Sequence, residues 1–169
     1  MAGWLAATPL QGLVFGLLSL PICLWVMYTD LSEMKIRNEA VLALFLVFVV
    51  SGFFVIDPIT SYLWRYLHLV VILVVGFLLY AIGAGIGAGD VKFLAAMAPF
   101  FALQDWQEAL LIFLFALFIT FALHRLIRAI GPLRERFPTW VSWRQSKKFP
   151  MGITLASTHL VYLGIAAFQ

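Results

Sequence analysis

Two aspartates stand at the edges of long apolar runs. Asp30 closes LVFGLLSLPICLWVMYTD, and Asp90 lies inside GAGIGAGDVKFLAAM. An ionisable group at the margin of a hydrocarbon stretch is costly to keep there and points first to function. Taken singly, each has a plain structural reading. Asp90, preceded by Gly89 and followed by a helical run, would cap that helix, and Asp30 would be a solvated helix end. Taken together they allow more. Two carboxylates held close cannot both ionise easily, so one keeps its proton. One can then activate water as general base while the other donates to a carbonyl oxygen, and the pair titrates with shared apparent pKa values. That is aspartyl hydrolase chemistry, and it calls for no metal and no organic cofactor. The other six acids sort elsewhere: Asp57, Asp105 and Glu108 fall in or beside short turns, Glu135 in a basic stretch, and Glu33 and Glu39 flank a polar loop.

The glycines before Asp90 admit three readings. GAGIGA at 83–88 fits G-x-G-x-x-G/A, but a dinucleotide fold needs a short strand before it, and here a long apolar helix precedes. Gly83/Gly87 and Gly85/Gly89 fit G-x-x-x-G, the close-packing pattern of membrane helices. Yet glycine at every second position is poor helix material. The spacing predicts an unwound segment, tolerated at membrane depth where it is buried in protein or lines a wet cavity. His68, His124 and His159 are far apart and show no metal-ligand spacing, so each reads as a buried, hydrogen-bonded histidine. Cys23, the single cysteine, can form neither an intrachain disulfide nor a zinc site. Asn38 reads as a cap for the helix that follows it. Lys92 either pairs with a nearby acid or phosphate or snorkels to the interface.

The elements that must hold these acids are membrane helices. The chain has 169 residues, 64% hydrophobic and 11% charged, with mean hydropathy +1.03. A soluble domain carries about a quarter charged residues, so water is the wrong solvent for this surface. Runs near the roughly 20 residues needed for a bilayer fall at about 10–29, 39–56, 62–82, 107–130 and 151–168, with a shorter one at 90–103. The expected fold is all-α, a single bundle of six spans, with a basic, Trp-containing loop at 131–149. The first residues carry no Lys or Arg, so the first run reads as a retained span rather than a signal peptide. Ten of the eleven basic residues fall in three loops on one side, and only Arg65 falls opposite. The positive-inside rule then places both termini outside and these loops in the cytoplasm, where the basic loop meets anionic lipid headgroups. A net charge of +3 is explained in this way without nucleic acid.

Gly87-Ala88-Gly89-Asp90 spells G-x-G-D, and with Val91-Lys92 and the small, apolar residues after it the stretch closely resembles the second motif of the prepilin peptidases, or type IV leader peptidases. Asp30, followed six residues on by Ile36-Arg37-Asn38, resembles their first motif, with Arg37 in place of the usual proline. Phe149-Pro150-Met151-Gly152, opening the last span, is similar to a third. The resemblance covers about residues 10–165. It implies a six-span bundle in a bacterial inner membrane that removes short basic leaders from prepilins and pseudopilins at the cytoplasmic face. Asp30 and Asp90 would be the catalytic pair, with Gly87, Gly89, Lys92, Asn38, Pro150 and Gly152 supporting loops and substrate. Larger members carry a cysteine-bearing insert and also methylate the new N-terminus. The chain lacks that insert and resembles the short form serving tight-adherence (Flp-type) pili, which leaves methyl transfer doubtful. The substrate's apolar helix would dock among the spans. The alternative is a small proton- or ion-coupled carrier using the same acids and a broken helix; a purely structural G-x-x-x-G dimer is a third reading. Oligomeric state is open.

Overall fold

The computed structural model describes residues 4–144 and 149–169. Lys147 and Lys148 of the basic loop lie outside the described residues, and so do the side chains of Arg134 and Arg136. The protein is all-helical. Its long helices are α1 (Pro9–Glu33), α2 (Asn38–Val55), α3 (Ile59–Ala81), α5 (Trp106–Ala129) and α8 (Met151–Phe168). Between them lie α4 (Ala88–Met97) and two short helices, α6 (Gly131–Arg136) and α7 (Val141–Arg144). Among the described residues, five helices are long and apolar enough to cross a membrane. Their 18 to 25 residues correspond to about 27–38 Å of helix, against a hydrocarbon core of about 30 Å.

Helix α1 starts where local chemistry tells it to. Thr8 and Gln11 form a reciprocal capping box, and Pro9 occupies the first turn, where its missing N–H costs nothing. The helix stops at Met34, which adopts a left-handed conformation (φ 56°) and donates its amide to the Asp30 carbonyl at 3.1 Å. Asp30 is thereby held in the last turn. Helix α8 runs antiparallel along α1. Gly152 meets Asp30 at one end, and at the other Gln169 accepts from the Leu5 amide and donates to the Ala7 carbonyl, both at 2.7 Å. The approach is close because Gly12 has no side chain: a Cβ there would sit 2.7 Å from the Leu163 carbonyl oxygen.

The span expected at 90–103 is not one helix. Its α-helical part, α4, has ten residues, about 15 Å or half a bilayer core. Pro99 follows, and the chain continues as two 3-10 turns at Ala98–Phe100 and Leu103–Asp105. Even so, the segment runs the length of the bundle. It begins with Gly89 against Ile36, beside the end that holds Asp30, and it finishes with Asp105 bonded to the Ala6 and Ala7 amides at the far end. Irregular backbone at this depth needs partners within the protein, and side chains of two other helices supply them at Pro99 and Ala102. Arg65 donates to the Pro99 carbonyl at 3.1 Å, and the Ala102 amide donates to the Tyr162 hydroxyl at 3.1 Å.

The core lies where α1, α2, α4 and α8 converge. Phe100 packs edge-on to Phe15 and Phe48, with ring centroids 5.0 and 5.3 Å apart, and Tyr62, Tyr162 and Leu163 are buried around them. Helices α3 and α5 stand outside this core, with only 11% and 6% of their most apolar windows buried. Their exposed Leu, Val and Phe side chains suit hydrocarbon as solvent, not water.

Candidate active site

Both acids sit at one end of the bundle, each at a helix terminus. Asp30 is only 4% exposed, which rules out a solvated helix end. Its Oδ2 accepts from the Gly152 amide at 2.5 Å, so the carboxyl group of α1 covers the N-terminus of α8. The sequence explains the arrangement. Pro150 occupies the cap position of α8 and has no side-chain acceptor to offer, so the orphan amides and positive end of the helix draw a carboxylate from elsewhere. Gly152 is required there: a Cβ would lie 2.8 Å from Asp30 Oδ2 and 3.0 Å from its Cγ.

Asp90 is partly exposed and is the third residue of α4. Its Oδ2 accepts the Gly87 amide at 3.2 Å, so the capping reading of this residue is realised in a modified form. Asp90 does not precede the helix but reaches back to its start from inside. Gly87 again clears the space, since a Cβ would fall 2.8 Å from the same oxygen. At Gly89 a Cβ would press on Ile36 at 3.4 Å, so this glycine lets α4 approach the α1–α2 connection. Gly152 and Gly87 thus admit the two carboxyls, and both acids lie at the same end of the bundle.

The glycine stretch before Gly87 is unwound. Gly83 and Gly85 have φ of +75° and +79°, with nothing within 4 Å of either Cβ position. Backbone conformation, not space, therefore demands glycine there, and a continuous G-x-x-x-G helix through 83–87 is excluded.

Lys92 donates to Asn38 Oδ1 at 3.1 Å, tying α4 to the first turn of α2. This corrects the capping role expected for Asn38. Arg37 holds the cap position and makes no side-chain cap bond, while Asn38 is already helical and spends its oxygen on Lys92. Arg37 pairs instead with Glu33 at 2.8 Å across the loop.

The histidines stand apart from the acids' hydrogen bonds. His159 is fully buried and bonds Ser19 at 3.1 Å. His124 is buried but stacked rather than hydrogen-bonded: its ring lies 5.1 Å from Trp143, and neither ring nitrogen has a partner among the described residues. Aromatic packing supplied by the 131–144 segment replaces the expected polar contact. Among the described residues no group of three or more His, Cys, Asp or Glu is arranged to hold a metal ion.

Reasoning from sequence overlooked Asp105. Set aside as a turn residue, it is 3% exposed and accepts from the Ala6 amide (2.6 Å), the Ala7 amide (3.2 Å) and the Tyr162 hydroxyl (2.7 Å). No signal in its own stretch could have found it, because its three donors are distant in sequence.

A model of the type IV leader peptidase family matches residues 17–124, which carry both acids and the unwound glycines. The chain belongs to the type IV leader peptidase family. Neither the curated proteins nor the solved structures give a match. The family match ends within α5, so the Gly152 contact that seats Asp30 comes from a helix beyond it. Membership makes the protein a membrane-embedded member of a family of peptidases, in keeping with its five long apolar helices.

Proposed function

We propose that the protein is an aspartyl endopeptidase that removes the basic leader from prepilin or pseudopilin substrates at the cytoplasmic face of a bacterial inner membrane. The observation that carries this reading is the placement of Asp30 and Asp90. They come from different helices, at one end of the bundle, each set on a helix N-terminus by a glycine amide. The ionised member of the pair takes a proton from water as the oxygen attacks the scissile carbonyl. The protonated member donates to the carbonyl oxygen. Collapse of the tetrahedral intermediate breaks the C–N bond, and the departing amine takes a proton from the pair. Lys35, Arg37 and Lys92 lie at the same end as the acids and Arg65 towards the other, which supports a cytoplasmic location for the acids under the positive-inside rule. The short form that serves Flp-type pili fits the absence of a cysteine-bearing insert, and we assign no methyl transfer.

The test is incubation of purified protein in lipid nanodiscs with a synthetic prepilin, with the product read by mass. Asp30→Asn and Asp90→Asn should each abolish leader removal while the protein still purifies from membranes as a folded monodisperse species. Full cleavage by either variant would refute the pair.

A further inference from the structure

A trough of about 560 Å³ runs alongside α4, with α3 and α5 as its walls and the first turns of α8 closing one side. It extends from Ile86 and Asp90 at the acid end to Leu103 and Trp106 at the other. Asp90 is the one acid among its described lining residues; Leu79, Leu94 and Leu110 typify the rest. Because α3 and α5 are the two least buried spans, the trough opens sideways toward lipid. We infer that this trough is the docking surface for the apolar helix of the substrate, which enters laterally between α3 and α5 and presents its cytoplasmic end to Asp90. The inference rests on the peptidase reading and names where the substrate's membrane segment lies.

Three observations select a helix as occupant. The trough follows the long axis of the bundle, and in hydrocarbon a lone peptide must satisfy its own backbone, which only a helix does. Its lining is almost wholly apolar, so it offers packing rather than hydrogen bonds to a backbone. It is also continuous with the candidate site, and beside Asp90 its floor meets the unwound stretch Gly83–Gly87. A helix lying in the trough would therefore leave hydrocarbon where its peptide bonds must become extended to be cut.

The experiment separates this from the peptidase reading. In the non-cleaving Asp90→Asn background, single cysteines at Leu79→Cys and Leu110→Cys should form disulfides with a cysteine in the substrate's apolar helix. Leu24→Cys and Phe54→Cys, more exposed still but on α1 and α2, should not; Cys23 is buried and does not compete. With both acids intact, filling the trough from Ala109, which lines it on α5, by Ala109→Trp should raise KM for the full-length substrate about tenfold while leaving cleavage of a short peptide spanning only the junction unchanged. Equal cross-linking at all four positions, as a trough filled only by lipid chains would give, overturns the inference. So does an Ala109→Trp variant that handles full-length substrate normally. Failure of the unmodified protein to cleave either substrate would instead overturn the peptidase reading.

Discussion

Asp30 owes its position to an atom that is missing from Gly152. Adding a methyl group there pushes against the carboxyl oxygen and its carbon at once. On the proposed peptidase reading, Gly152→Ala leaves the protein folded and lowers kcat about a hundredfold, because displacing a reacting group by an ångström costs roughly that much. Gly164→Ala, on the same helix with open space at its Cβ position, should behave as wild type in the same cleavage assay. The Lys92–Asn38 bond makes a different prediction. If its role is to hold α4 on α2, Lys92→Met and Asn38→Ala should each reduce kcat, and the double variant should be no worse than the poorer single one. Non-additivity in that cycle is the mark of a direct partnership. At this scale the sequence was informative about residue types but not partners. It singled out Asp30, Asp90, Lys92 and Asn38, yet it could not show that Lys92 reaches Asn38, because the two are 54 positions apart.

The glycine stretch and α4 form one element, an unwound turn followed by a half-length helix. Gly85 is held at positive φ with room to spare, so Gly85→Ala should cost about 1–2 kcal/mol of stability through the left-handed backbone alone. Gly131→Ala, with open space and no such backbone demand, should cost nothing or add slightly. Thermal unfolding in a fixed detergent would compare the two. The unwound glycines were legible in the sequence, since alternating glycines disfavour helix whatever surrounds them. The 3-10 path through Ala98–Asp105 was not. An apolar run with a single proline says nothing of the Arg65 and Tyr162 side chains that satisfy its backbone from other helices.

Across the whole molecule, the end opposite the acids is closed by one buried polar cluster. Asp105 joins the segment before α1, the junction into α5, and α8. Tyr162→Phe removes the acceptor of the Ala102 amide and a donor to Asp105, and should lower stability by about 1–3 kcal/mol. Asp105→Asn should cost more, because an amide offers a donor where three donors already point. Both variants should keep the pair at the other end intact, so cleavage measured well below the melting temperature should change far less than stability does.

By itself the sequence determined the solvent and the family. Its hydrophobic content demands a bilayer, its periodic breaks divide the chain into spans, and its two misplaced carboxyls with flanking glycines carry the family likeness that the 17–124 match bears out. These properties are local, written in runs of residues and in short motifs. Only the tertiary structure decided which groups fix those carboxyls, that Asp105 is a buried hub, and that an apolar trough leads to Asp90. Each of these depends on contacts between residues distant in sequence, as between Asp30 and Gly152, which are 122 positions apart. Such contacts follow from how helices pack, and packing among uniformly apolar helices leaves little periodic trace in the sequence.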